Sequence, residues 1–195
     1  MTGALPRAPL SVEAIVEAAV RTVDADGPDA LSLRGLAREL GVTAPALYDH
    51  IRSKDDLLRL VAREGYAVLA GVWADLDRTE VETWVRRSST AYVAFALERP
   101  GLFAVMFRYR PSFVAGPGEV EDDDATAVFR EALDVLVAAV ERGDLARDPL
   151  EMALGLWAAV HGVATVRSMS PEMADADWLL DVVVDALLAG WKEPG

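Results

Sequence analysis

Side chains able to do chemistry are scarce in this 195-residue sequence, which holds no cysteine and two histidines, His50 and His161. Thiolate metal sites and disulfides are therefore excluded. Two histidines without a compact carboxylate cluster leave little to hold zinc or iron, so neither a metal nor a cofactor is expected. No Gly-x-Ser-x-Gly elbow, phosphate loop or histidine-carboxylate cluster appears, and an enzyme is not expected either. What stands out is a lysine at a helix start. Ser53-Lys54-Asp55-Asp56 has the Ser-x-x-acid form of a capping box, and its aspartates suit the positive end of a helix dipole. Lys54 does not suit it unless an anion lies against the same first turn. The alternative is a lysine that simply extends into solvent.

The elements that would hold Lys54 in place are short and sharply bounded. Ser11 precedes Val12, Ile15, Val16, Ala19, Val20 and Val23, an apolar face at helical spacing that stops at Gly27-Pro28. Ser32 is placed to cap a second helix carrying Leu33, Leu36, Ala37 and Leu40, with Gly41 where a left-handed residue is wanted. Thr43 is placed to cap a third, with Pro45 in its first turn, where a missing amide hydrogen costs little. Val42 and Leu47 are spaced for a hydrophobic staple. The spacing predicts a short helix from Ala44 to about Asp49, then a long fourth helix running to about Asp75. Further apolar-periodic stretches follow at about 80–98, 101–107, 122–142, 148–167 and 175–190. No strand pattern and no repeat of fixed period is found, so the fold class is all-α with about nine helices. The expected division is a helix-turn-helix domain over 1–57 and a helical ligand-binding and dimerisation bundle over 58–195.

Two short helices joined by a glycine turn, the second with few core positions, form a helix-turn-helix, in which the second helix enters a DNA groove. The net charge of −13 speaks against nucleic acid at first sight. Its distribution weakens that objection, because Ser32 to Arg63 holds six basic against four acidic residues. The stretch "SLRGLARELGVTAPALYDHIRSKDDLL", Ser32 to Leu58, resembles the DNA-binding module of the TetR family of bacterial regulators in its Leu-Gly-Val, its Leu-Tyr pair, the histidine just after it and the lysine opening the fourth helix. In spacing the resemblance runs from Ser11 to about Val61. It implies that the hydroxyls of Thr43 and Tyr48 contact phosphates, and that Lys54 holds a phosphate beside the amides of the fourth helix. For Tyr48 the competing reading is a half-buried aromatic. For His50 a backbone contact competes with a role in closing the third helix. Arg34 matches a position used in part of the family and could fork onto guanine; a surface salt bridge is the alternative. Ala44, Pro45 and Ala46 open the reading helix, where they offer apolar contact to thymine methyls, and Asp49 departs from the family's uncharged residue.

The resemblance also implies that the later helices form a dimerising domain that binds a small-molecule effector. "GLWAAVHGVATV", Gly155 to Val166, is similar to a Trp-x-x-x-His-Gly pattern in a subset of such domains. Trp157 and His161 lie on one helical face, either as a packed Trp with a hydrogen-bonded core His or as pocket lining. Trp73, Trp84, Phe103, Met106 and Phe107 are further candidate pocket walls, although Trp84 with Tyr92 and Phe95, and Phe129 with Leu133, also fit plain core stripes. "RYRPSFVAGPGEVE", Arg108 to Glu121, reads as an exposed loop whose Arg108 and Arg110 could steer an anion, and Glu121 to Asp124 as decoration of a helix start. The last two helices are apolar around most of their circumference, so one face belongs in the core and the other in a homodimer interface. Pro149 to Val166 approaches the length of a membrane span, but its interior Glu151 argues for a buried helix, and no membrane partner is expected. Met1 to Leu10 lacks the apolar run of a signal peptide, which makes the cytoplasm the default. The sequence thus points to a TetR-like regulator of double-stranded DNA, a repressor released from a palindrome by a ligand. The competing reading is a helical ligand-binding or protein-interaction module that has lost DNA binding, as the alanines and Asp49 would allow.

Overall fold

The computed structural model describes residues 10–108 and 124–192. The amino-terminal stretch before Leu10, the loop expected after Arg108 with its Arg110, and the acidic run as far as Asp123 lie outside the described residues. No strand occurs among the described residues, and the helices are α1 (Val12–Asp26), α2 (Leu33–Leu40), α3 (Ala44–Tyr48), α4 (Lys54–Ala74), α5 (Val81–Glu98), α6 (Pro100–Met106), α7 (Asp124–Arg142), α8 (Pro149–Arg167), α9 (Pro171–Ala174) and α10 (Asp177–Trp191). The all-α expectation holds. Only the single turn α9 is additional, and Ser170 Oγ caps it by accepting from Met173 N–H at 3.3 Å.

The punctuation of α1 to α4 follows from side-chain chemistry. Ser11, Ser32 and Ser53 have extended backbones, and their hydroxyls accept from Ala14, Gly35 and Asp56 amides at 3.2, 3.1 and 3.0 Å. Each bond satisfies an amide that the first helical turn leaves without a partner. Helix α2 ends because Gly41 adopts φ 63°, ψ 38°. Val42 N–H then bonds Ala37 O at 2.9 Å and Gly41 N–H bonds Arg38 O at 3.2 Å, the paired closure of a Schellman motif. Asp56 departs from the usual capping box, because its carboxylate accepts from Arg52 N–H at 2.9 Å, one residue before the cap.

Thr43 corrects the sequence reading more sharply. It occupies the cap position of α3 with extended backbone, yet its hydroxyl makes no capping bond. Pro45 removes one of the two amides such a hydroxyl would reach, and the other, Ala46 N–H, bonds Thr43 O at 3.1 Å.

One continuous apolar core runs from Ile15 in α1 to Trp191 at the end of α10. Helix α4 joins its two ends, packing on α1 and on α5, α6 and α7. At Gly101 the backbone of α6 comes so close to α1 that a β-carbon would sit 2.0 Å from Val23 O. Beside this approach the Arg99 guanidinium bonds Asp24 Oδ2, tying the α5–α6 junction to α1. Helix α8 is long and apolar enough to cross a membrane by length and composition. In the structure it packs between α5, α7 and α10, with Met152, Leu156, Val160 and Val163 buried.

Candidate nucleic-acid interface and apolar cavity

Helix α3 owes its position to one residue. Leu47 is fully buried and is the only buried member of the helix, while Ile51 just beyond it is also in the core. Ile51 N–H bonds Leu47 O at 2.9 Å, which closes the helix and turns the chain toward α4. With Leu47 inward, the helix turns Pro45 and Tyr48 away from the core, and both are exposed, Tyr48 to 57%, as is Thr43 at the extended cap position before the helix. Ala44 and Ala46 are half-buried, and Asp49 and His50 are exposed.

Two cations flank this helix along the chain. Lys54 is the first residue of α4 and half-buried, beside the amides that open that helix. Arg34 is exposed in the first turn of α2. Among the described residues neither forms an ion pair, so the surface salt bridge considered for Arg34 is absent there. Two hydroxyls, on Thr43 and Tyr48, thus belong to one exposed short helix and its cap, with Arg34 on the helix before it and Lys54 at the start of the helix after it. Such a surface offers donors to phosphate oxygens and an apolar strip to base edges.

The second candidate site lies in the helical bundle. A cavity of about 50 Å³ is lined by Tyr66, Leu69 and Trp73 of α4, Ser88, Ser89 and Tyr92 of α5, Phe107 after α6, Val128, Phe129 and Ala132 of α7, and Ala153, Leu156, Trp157 and Val160 of α8. No charged side chain of the described residues lines it. Three of its polar groups are committed to other partners. Tyr66 Oη donates to Met106 O at 3.0 Å, Ser88 Oγ donates to Val85 O at 3.2 Å, and Tyr92 Oη shares a 2.9 Å hydrogen bond with His161 Nδ1. Burial pushes the Tyr92 phenol up, helped by nearby Tyr66. Burial also holds His161 below the ordinary imidazole value, so it is neutral at pH 7.

Of the candidate wall residues read from sequence, Trp73, Phe107 and Trp157 line this cavity and four do not. Trp84 is fully buried behind the wall, edge-on to Trp73 with ring centroids 5.6 Å apart. Phe103 and His161 stack at 5.3 Å and both rest on Phe107, at 4.9 and 4.5 Å. Met106 is wedged against α4, where a β-carbon on Gly65 would meet it at 2.7 Å. These four support the wall instead of forming it, because each is one helical turn or one ring away from the opening. Arg108 is exposed and is not among the lining residues. Sequence reading missed Tyr66, Ser88 and Ser89. Tyr66 is spaced with Leu69 and Trp73 on one face of α4, and the pair Ser88-Ser89 interrupts an otherwise apolar buried face of α5. Those were the available signals.

Comparison with known proteins bears on both sites. Residues 15–61 match the model for bacterial regulatory proteins of the tetR family, and residues 85–187 match the tetracyclin repressor-like C-terminal domain. An HTH-type transcriptional regulator of Mycobacterium tuberculosis is 30% identical over 175 residues, spanning 87% of this chain and 75% of that protein. A protein of unknown function from Rhodococcus sp. RHA1 shares the fold with a TM-score of 0.80 at 26% identity, over 97% of this chain and 100% of the other. A TetR variant from Acinetobacter baumannii AYE, solved in complex with minocycline, gives a TM-score of 0.69 at 20% identity over 93% and 96% of the two chains, a likeness of fold alone.

Proposed function

We propose, on the premise that this chain belongs to the tetR family of bacterial regulatory proteins and is a DNA-binding transcriptional regulator, that it acts as a homodimeric repressor released from a palindromic operator by a small molecule. The observation that carries the reading is the outward face of α3, with Thr43, Pro45 and Tyr48 exposed over a single buried anchor, Leu47. In this reading Thr43, Tyr48 and Lys54 hold phosphates and fix the register. Arg34 reaches a guanine edge, and the Ala44-Pro45-Ala46 strip meets thymine methyls. His50 adds a backbone contact.

Dimerisation is supported by apolar side chains left in solvent on the last long helices. Leu154 and Val166 of α8, Met169 just after it, and Trp178 and Val182 of α10 are all exposed. Pairing two copies through these helices would bury them and set two α3 helices about 34–36 Å apart, one duplex turn.

Release by a ligand is supported by the size of the cavity. At about 50 Å³ it is far below the roughly 300–1,000 Å³ of pockets that hold small molecules, so entry of a ligand has to spread its walls. Helix α4 is one of those walls and carries Lys54 at its start. Spreading the bundle would tilt α4, and α6 would press on α1 at the Gly101–Val23 approach. Ligand and operator then favour different arrangements, which is all that coupling requires.

The test is salt-titrated binding of the full chain to inverted repeats in its own upstream DNA. A steep salt slope and a sequence preference are expected, with Lys54→Ala reducing the slope by about one unit. Tight binding that ignores both Lys54→Ala and Tyr48→Phe would refute the site assignment, and the lack of any salt-dependent, sequence-preferring binding would favour a helical module without DNA function.

A further inference from the structure

The cavity wall carries two polar atoms that no described residue satisfies. Trp73 Nε1 and Ser89 Oγ are buried without a hydrogen-bond partner, on side chains whose residues are 8% and 2% exposed. Both residues line the cavity. Trp84 Nε1 is likewise without a partner, but Trp84 lies behind the wall and cannot serve an occupant. Leaving a buried donor unsatisfied is costly, and native proteins keep few such groups. Two among the residues that line one cavity, Trp73 on α4 and Ser89 on α5, where the hydroxyls of Tyr66, Ser88 and Tyr92 are already committed, mark the place where an occupant's polar atom belongs.

From this we propose that the cavity takes an uncharged, mostly apolar small molecule bearing a hydrogen-bond acceptor, such as a carbonyl oxygen, which Trp73 Nε1–H and Ser89 Oγ–H hold. The inference rests on the reading of the cavity as the effector site. The rest of the wall defines the body of the ligand: Phe107, Phe129, Leu156 and Trp157 offer rings and branched chains. An anion is disfavoured, since no charged side chain of the described residues lines the cavity to pair with it and burying an unpaired charge is costly. An aliphatic or aromatic hydrocarbon without an acceptor would enter, but would leave both donors orphaned. Discrimination should therefore follow the acceptor more than the shape.

Three probes of similar size separate these cases: acetophenone, ethylbenzene and benzoate, titrated into the full chain by calorimetry without DNA. Acetophenone should bind about five- to tenfold more tightly than ethylbenzene, the contribution of one to two recovered hydrogen bonds. Benzoate should bind about a hundredfold more weakly than acetophenone, or not measurably. In Trp73→Phe and in Ser89→Ala the acetophenone advantage should shrink toward one while ethylbenzene affinity stays within about twofold. Because the quantity is a ratio within each protein, a change in stability does not blur it, and Ser89→Ala alone suffices if Trp73→Phe does not fold. The proposal is overturned by a ratio near one in the wild type, by a ratio unchanged in the variants, by benzoate binding as tightly as acetophenone, or by no binding of either neutral probe up to its solubility. Operator binding, measured separately without probe, reports on the regulator reading. Loss of DNA binding with the ratio intact would refute the regulator reading alone, and the reverse pattern would refute the ligand assignment alone.

Discussion

Helix α3 and the bundle cavity present their candidate side chains in opposite ways. At α3 Thr43, Pro45 and Tyr48 stand in solvent, and Leu47 is the one buried side chain of the helix. In the cavity the working atoms belong to residues such as Trp73 and Ser89 that are themselves nine-tenths or more buried. A surface site can therefore change its chemistry with little effect on packing, whereas a substitution in the cavity also alters the core. The join between them is built for contact, not for tolerance, as the missing β-carbon at Gly101 shows.

The contrast is broken most severely from within the bundle. Trp84→Ala removes a fully buried ring and should lower unfolding free energy by about 3–5 kcal/mol in urea titrations. A change below about 1 kcal/mol would mean that the layer behind the cavity wall is not packed as described. On α3 the expected pattern inverts: Tyr48→Ala, at a side chain in an exposed position, should move stability by no more than about 0.5 kcal/mol. The same change should weaken operator binding by about tenfold or more, the loss expected for a hydrogen bond to a charged phosphate.

Smaller effects sharpen the comparison at the two caps that frame the recognition helix. Ser53→Ala deletes an observed cap bond and should cost about 1 kcal/mol. Thr43→Ala deletes a hydroxyl that caps nothing, so its stability cost should be less than about half of that, with the loss appearing in DNA affinity instead. Equal stability costs at the two positions would show that Thr43 serves the helix after all.

The smallest effect concerns pH. His161 is held below its ordinary value by burial, so the unfolded chain takes up a proton before the folded one does. Its neutral form therefore contributes stability that is present above the unfolded value of about 6.5 and is lost as pH falls below it. The thermal midpoint of the wild type, relative to His161→Gln, should fall between about pH 6.5 and 5. A flat difference across that range would place His161 in a more solvated setting than its contacts with Phe103 and Phe107 imply.

Much of the amino-terminal unit was legible before any coordinates. Ser11, Ser32, Ser53 and Gly41 do their work within four residues of their own position, so the ends of α1, α2 and α4 could be read from local spacing. The same locality misled at Thr43, where Pro45 and a backbone carbonyl took the place of the expected side-chain bond. Helix content likewise followed from apolar periodicity, and the few core positions of α3 pointed to a helix with most of its side chains outside the core.

The cavity was legible only in part. Trp73, Phe107 and Trp157 could be named because large apolar residues are recognisable, but the same criterion swept in Trp84, Phe103 and Met106, which differ from them only in what stands beside them. Tyr92 and His161 are 69 residues apart and meet at 2.9 Å, a pairing that no local pattern encodes. Nor does composition reveal which hydroxyls are committed and which are left over. The sequence by itself determined the helices and the serine and glycine caps at Ser11, Ser32, Ser53 and Gly41, because those depend on neighbours along the chain. Tertiary structure decided which side chains enclose a space and which polar atoms in it lack a partner, because both depend on how four helices and the end of a fifth come to rest against one another.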